Sequence, residues 1–431
     1  MKKKLTIEEK LTKKAAKRPN KFIWWVLSHL VMPILGSKYH PTYTIKDDIR
    51  ETKGAKFICF NHQSRMDYIW ACQMTHHERL TFVIGANEFY RKKFSLVFNL
   101  LNFIPKKNFT SDFNAVKKMN AIIKDGGTIC FSPEGMSSIY GHSQPIVPGT
   151  GRFFKFYKIP VFISKSNGSY LTAHKVCLDE RPGKVEATFY KLLTPEQIES
   201  MSEQEIEDKI NEALRTDDYE WNKEKHYKFK TKGKAATRYE DMIYRCPKCG
   251  EELHMVSHGD VLECKKCGNG MVFDEYYDLH PLHECDVVVE TPSKWIDEQR
   301  RIEYFKIKND PNYSLTCNVK LRELPKYDLI KTNDTGIDCG EGVVTVDNHG
   351  LSFKGTRHNK PFEFLLDYKQ LWTLTIVTDC TFTALYVNGE YLEIHPDKPV
   401  IGKMLLMVEE FSRIQYNIWP NSPWMDWVYK E

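Results

Sequence analysis

Between residues 50 and 190, short β-rich runs alternate with helical patterns, and this alternation permits few architectures. Strands separated by helices return as parallel neighbours, so the stretch predicts an α/β domain with a substantially parallel sheet. The expected strands are Lys56 to Phe60, Thr81 to Ile84, Thr128 to Phe131, Pro160 to Ser164 and Val185 to Tyr190. The clearest helix is Asp112 to Lys124, with Ser111 as N-cap, Val116, Met119 and Ile123 at helical spacing, and Gly126-Gly127 ending it. Thr194-Pro195-Glu196-Gln197 starts another, through about Leu214, because Thr caps, Pro suits the first helical position and Gln completes a capping box.

The run Lys56-Phe57-Ile58-Cys59-Phe60 leads from a strand into Asn61-His62-Gln63-Ser64-Arg65-Met66-Asp67. On one continuous helix His62 and Asp67 would sit roughly 140° apart and could not meet, so a turn intervenes. Ser64 supplies it, as the cap of a helix with Asp67 in its first turn. His62 then lies on a strand-to-helix loop, where open α/β sheets present ligands. Asp67 is placed to accept one imidazole N–H, leaving the other nitrogen as a base. Taken alone, a His and an Asp at this spacing occur by chance in many chains. A second element strengthens the reading, because the strand Thr128 to Phe131 is followed by Ser132-Pro133-Glu134-Gly135, a carboxylate held beside two turn-forming residues.

Together these residues resemble the glycerolipid acyltransferase family, also called the 1-acylglycerol-3-phosphate acyltransferase family. Its first block, Asn-His-x-x-x-x-Asp, is matched by Asn61, His62 and Asp67, and its third, Phe-Pro-Glu-Gly-Thr-Arg-Ser, by Pro133, Glu134, Gly135 and Ser138. The second block is approximated by Asn102 to Lys107 and the fourth by Ile159 to Ile163. The resemblance covers about residues 22 to 220. It implies direct acyl transfer from acyl-CoA or acyl carrier protein to the sn-2 hydroxyl of 1-acylglycerol 3-phosphate, giving phosphatidic acid in phospholipid synthesis. His62 would be the catalytic base and Asp67 its partner, with Asn61, Lys106, Lys107, Pro133, Glu134, Gly135 and Ser138 on the substrate side. Two departures bear on the acceptor, since Lys106 and Met136-Ser137 stand where the family commonly has Arg and Thr-Arg. Lys is a point charge where Arg offers a planar fork for phosphate. Transfer to another lysolipid acceptor and a non-enzymatic lipid-binding adaptor are the alternatives.

Twelve cysteines include two knuckles, Cys246-Pro-Lys-Cys249-Gly and Cys264-Lys-Lys-Cys267-Gly, separated by fourteen residues. Four thiolates in this pattern predict a closed tetrahedral site, a structural zinc ribbon, with iron the lesser alternative. The other eight cysteines are scattered and form no disulfide framework, so a reducing compartment is expected. Lysines near the ribbon lack the interleaved aromatics of a stacking platform, and no nucleic-acid partner is expected.

Residues 1 to 21 carry nine cations against Glu8 and Glu9, a local +7 that exceeds the +5 of the whole chain. Phe22 to Leu35 follows as an apolar run with Trp24 and Trp25, spanning roughly 20 Å as a helix, short of the ~30 Å hydrocarbon core. It reads as an interfacial segment on an anionic membrane, peripheral or monotopic on the cytoplasmic face. A signal peptide and a plain core helix share this outline, although no small-residue cleavage site follows.

Residues 216 to 240, rich in Lys and poor in aliphatics, read as a linker or loose arm. From Gly340 onward short strands alternate with turns such as Asn348-His349-Gly350 and Asn388-Gly389, and a helix from about Gly402 to Gln415 places Met404, Val408 and Phe411 on one face. This outline resembles a pleckstrin-homology (PH) or GRAM-like domain. The expected order is a membrane segment (1–40), an α/β acyltransferase-like domain with a mixed sheet (41–220), a linker (221–245), the ribbon (246–280), a connecting region (281–339) and a small mostly-β, barrel-like domain (340–431).

Overall fold

The apolar runs of the first domain assemble into a seven-stranded sheet in the computed structural model, which describes residues 4–377, 379–418 and Tyr429. Its strands are β1 (Thr42–Ile45), β2 (Lys56–Phe60), β3 (Leu80–Gly85), β4 (Ile104–Lys106), β5 (Thr128–Phe131), β6 (Val161–Asn167) and β7 (Glu186–Leu193), in the order β1-β7-β6-β2-β5-β3-β4. All neighbours are parallel except β6 and β7. Strand β2 lies at the centre and is buried along its whole length. Because β-strand side chains alternate, Ile58 and Phe60 face one layer and Phe57 and Cys59 the other. The first layer holds the helix Asp67–Met74, with Ile69 and Trp70, and the second the helices Phe113–Lys124 and Glu203–Leu214.

Helix starts follow the capping chemistry with two adjustments. Thr194 and Gln197 form the expected capping box. The helix ends at Ser200, and a second box of Ser202 and Glu205 begins the next, Glu203–Leu214. The cap of Phe113–Lys124 is Asp112, not Ser111, since the Asp112 carboxylate accepts from Ala115 N at 3.0 Å.

The N-terminal segment is helical from Lys21 to Ser37, with a π-helical stretch at Leu27–Val31. Trp24, Ser28, Met32 and Gly36, four apart, face inward, and a Cβ on Gly36 would stand 3.1 Å from Ile69. The opposite side exposes Phe22 (71%), Trp25, Leu30 and Ile34 (73%). Among the described residues no helix is long and apolar enough to cross a membrane.

The expected linker is a packed arm. Helix Asp218–Lys225 and the residues after it bury Tyr219, Phe229, Tyr239 and Tyr244 in the largest core of the molecule. Aromatic rings do here what aliphatics do elsewhere, which is why a count of aliphatics misread the segment. Beyond it, β8 (Met255–His258), β9 (Val261–Cys264), β10 (Gly270–Phe273) and β11 (Leu279–Pro281) form a small antiparallel sheet around the cysteine knuckles.

The C-terminal module starts earlier than residue 340. Strand β12 (Leu315–Glu323) alternates Cys317, Val319 and Leu321 inward and pairs with β13 (Ile337–Asp347). The remaining strands are β14 (Gly350–Arg357), β15 (Lys360–Leu366), β16 (Thr375–Ile376), β17 (Thr383–Val387) and β18 (Glu390–Pro396). Their order is β15-β14-β13-β12-β18-β17-β16, antiparallel throughout. The sequence also predicts a strand over Leu374 to Thr378; its last residue, Thr378, and residues 419–428, 430 and 431 of the expected domain lie outside the described residues. The last helix, Ile401–Tyr416, buries Met404, Val408 and Phe411 as expected, but its polar face is buried too, against the helix Pro292–Asn309 of the expected connecting region.

Candidate active site

Three adjacent parallel strands, β6, β2 and β5, end side by side, and the loops leaving them build the site. His62 follows β2, Glu134 follows β5, and Ser169 follows β6. The His62 Nδ1–H donates to Asp67 Oδ2 at 2.9 Å. Asp67 opens the helix Asp67–Met74 and reaches back, so that Oδ2 also accepts from Ser64 N at 2.8 Å. Ser64 makes the turn but is not the helix cap the sequence suggested: the helix starts at Asp67 with Met66 in the cap position, and Ser64 Oγ accepts from Met66 N at 2.8 Å, inside the preceding turn. Ser169 Oγ donates to Asp67 Oδ1 at 2.6 Å and itself accepts from Trp70 Nε1 at 3.0 Å. The Asp67 side chain is 1% exposed and that of His62 30%. With Nδ1–H committed to the carboxylate, Nε2 carries the lone pair, which is the tautomer a general base needs.

The loop after β5 clasps the His62 peptide on both sides. His62 N donates to Glu134 Oε1 at 3.0 Å, and Ser138 N donates to the His62 carbonyl at 2.6 Å. Glu134 Oε2 accepts from Gln144 N at 3.3 Å. Burial pushes the Glu134 carboxyl up to about 8, with the Asp67 charge adding to the effect and the two backbone donors opposing it. Pro133 O accepts from Val147 N at 2.8 Å, and Gly135 takes a positive φ of 82° beneath the Phe109 ring, where a Cβ would lie 2.6 Å from a ring carbon. Ser138 Oγ closes its own turn by donating to His142 O at 2.7 Å.

Three residues expected on the substrate side have partners within the chain. Asn61 is fully buried, and its amide exchanges hydrogen bonds of 2.7 and 2.8 Å with the Ser166 backbone, extending the β2–β6 pairing with a side chain. The Lys107 ammonium meets Glu8 at 3.0 Å and Gly389 O at 2.9 Å, tying a first short helix, Ile7–Lys13, to the C-terminal sheet. Lys106 donates to Lys107 O at 2.9 Å and Thr110 O at 3.2 Å, and burial lowers its basicity.

Sequence reasoning missed Ser169, because nothing near Gly168-Ser169 announces a contact with a residue 102 positions earlier. The available signal was a Gly at the end of a strand, where φ is 78° and a Cβ would meet Lys184 O at 2.3 Å. It also missed Gln63, fully buried beside His62, whose amide atoms have no hydrogen-bond partner among the described residues.

The four knuckle cysteines converge as expected. Sγ atoms of Cys246 and Cys267 are 3.6 Å apart and those of Cys249 and Cys264 3.8 Å, with all four within 4.8 Å of one another. These distances are too long for disulfides, and they fit four sulfurs at ~2.3 Å from one tetrahedral ion, which stand about 3.8 Å apart.

Comparison with known proteins bears on the first domain. The family model described as Acyltransferase matches residues 40–164. No curated protein matches the chain. Among solved structures, the 1-acyl-sn-glycerophosphate (LPA) acyltransferase PlsC from Thermotoga maritima is similar at 18% identity, over 45% of this chain and 77% of that chain, with a TM-score of 0.38. Residues 40–164, which hold His62, Asp67 and the Pro133–Ser138 loop, thus form a domain similar to the Acyltransferase family.

Proposed function

We propose that the protein transfers a fatty acyl chain from acyl-CoA or acyl carrier protein to the sn-2 hydroxyl of 1-acylglycerol 3-phosphate. The observation that carries this reading is His62, oriented by a sealed Asp67 with its second nitrogen free and its ring partly open to solvent. Nε2 removes the hydroxyl proton as the oxygen attacks the thioester carbonyl. The C–S bond then breaks, the ester forms, and the leaving thiolate takes the proton back from the imidazolium. Asp67 stabilises that transient cation, as carboxylates do in catalytic triads. Glu134 and Ser138 act by fixing the His62 backbone.

The engagement of Lys107 with Glu8 and Gly389, together with the absence of Arg in the third block, favours a second reading in which the acceptor is another lysolipid. A membrane-surface location at the cytoplasmic face is supported by the exposed Phe22, Trp25, Leu30 and Ile34 of a helix with basic sequence before it, and by twelve unpaired cysteines. We read the four-cysteine cluster as structural zinc, since four protein ligands leave no open position. The C-terminal sheet with its packed helix supports the PH/GRAM-like reading.

The test is the full chain with a panel of phosphate-bearing and zwitterionic lysolipids, acyl-CoA and acyl carrier protein, with products weighed by mass spectrometry. Lysophosphatidic acid is expected to react fastest. Equal product from His62→Ala would overturn the mechanism, and lipid binding without turnover across the panel would establish the non-enzymatic adaptor instead.

A further inference from the structure

Away from the site, three histidines meet where the N-terminal helix crosses the end of the helix that begins at Asp67. His29 lies in the π-helical stretch Leu27–Val31, and His76 and His77 follow the helix Asp67–Met74. One ring nitrogen from each lies within 4.8 Å of the others. Ring centroids are 5.0 Å apart for His29 and His76, 5.7 Å for His29 and His77, and 3.7 Å for His76 and His77.

Two of the rings are already held as metal-bound imidazoles are held. His29 Nδ1 is 3.2 Å from the Trp25 carbonyl and His76 Nδ1 3.1 Å from the Gln73 carbonyl. His29 Nδ1 also lies 3.0 Å from Ser28 Oγ; with the Ser28 proton given to His76 O, that oxygen accepts as the two carbonyls do, so Nδ1 carries the proton in both rings and Nε2 keeps the lone pair. A metal-ligating histidine characteristically donates its other N–H to such a carbonyl. The buried Ser28 hydroxyl donates to His76 O at 3.1 Å, so the two segments are locked before any ion arrives. The π-turn carrying His29 is the kind of local irregularity that persists at functional sites. His77, the exposed member, is free to close the ring separation, and the nearby Asp48 and Arg50 pair with each other at 2.6 Å.

We propose that His29, His76 and His77 bind a zinc ion, separate from the four-cysteine cluster, that clamps the membrane-facing helix to the helix bearing Asp67. Three neutral imidazoles suit zinc, and the fourth position is left to water.

The experiment uses the untagged full chain with the four-cysteine cluster already loaded. Zinc is added in equilibrium dialysis, and bound metal is counted by elemental analysis beside thermal unfolding. Wild type is expected to take a second equivalent and to unfold at a higher temperature with it. His29→Gln/His76→Gln, and separately the exposed His77→Gln, should keep the first equivalent and lose the second together with its thermal shift. Cobalt added at the same stage should give a weak visible spectrum without the intense near-ultraviolet sulfur band. A wild type that stops at one equivalent, a second equivalent that survives in both variants, or a sulfur-type cobalt spectrum would each overturn the proposal.

Discussion

Asp67→Asn isolates the charge behind His62 while keeping its shape. The carboxylate lies 2.9 Å from Nδ1, accepts from Ser64 N and Ser169 Oγ, and is almost wholly out of water. An Asn amide keeps its oxygen toward His62 and Ser64 and turns its NH₂ to the Ser169 oxygen, so the geometry survives and the charge does not. Two unit charges about 4 Å apart attract by roughly 4 kcal/mol at an effective dielectric constant of ~20. The imidazole is 30% exposed, and solvent screening brings the loss to about 3 kcal/mol. At ~1.4 kcal/mol per decade this is a fall in kcat of roughly 10²–10³-fold, with KM little changed because Asp67 is sealed from substrate. The assay is the initial rate of product formation by mass spectrometry, with the urea midpoint confirming that the variant is folded. Ser169→Ala, which leaves the charge but removes one of its donors, should cost about tenfold. A folded Asp67→Asn protein within threefold of wild type would refute the argument.

Glu134 makes stability depend on pH, because its carboxyl stays protonated in the folded chain up to about 8 but ionises near its ordinary 4.5 once unfolded. Stability should therefore fall as pH rises from about 4.5 to about 8, and urea midpoints of Glu134→Gln should lose that part of the slope. Asp218 and Asp241, raised by burial to about 7, slope the same way and remain in both proteins, so the difference between them isolates Glu134. Arg300→Met removes the cation paired with Glu409 and Glu410 at 2.6 and 2.8 Å in the core, leaving Glu410 to Arg413 at 3.3 Å, and should destabilise by about 3–5 kcal/mol in urea unfolding. Replacing both glutamates by Gln in that background should recover part of the loss. Cys264→Ser should abolish metal binding at the knuckles and lower the unfolding temperature, and a chelator should destabilise wild type by more than it destabilises that variant.

What the sequence disclosed was local, and what it concealed was contact at long range. The strands Lys56–Phe60 and Thr128–Phe131 were legible to the residue, because an apolar run bounded by polar turns has one way to bury itself in a parallel sheet. His62, Asp67 and the four cysteines were legible because their chemistry depends on short spacing. Ser169 was not, since its role exists only once β6 lies beside β2. Asn61 and Lys107 carry the right chemistry for a substrate and find protein partners 105 and 282 residues away. The alternation in Leu315–Glu323 and the Thr291-Pro292 helix start were present in the sequence and overlooked within a segment assigned to connection.

The C-terminal module reaches His62 through the loop that clasps its backbone. Beyond Ser138, Tyr140 places its hydroxyl 3.0 Å from Arg300 and 3.2 Å from Glu409, so its ring is pinned between the helices Pro292–Asn309 and Ile401–Tyr416. Two residues on, His142 Nε2 meets Asp297 Oδ1 at 3.0 Å. Burial opposes the charge on His142, but the Asp297 carboxylate overcomes it and raises the group to about 9. The pair's contribution is complete below about 6.5 and is lost as pH rises through about 9, the same direction as Glu134. Loosening either anchor should free residues 136–144, and with them Ser138 N and Gln144 N, the donors that hold the His62 carbonyl and the Glu134 carboxyl. A chain ending before residue 290 would keep His62, Asp67 and Ser169 but leave Tyr140 and His142 without partners. Its deficit should appear in kcat rather than in lipid binding, because the base would be present and its backbone unheld.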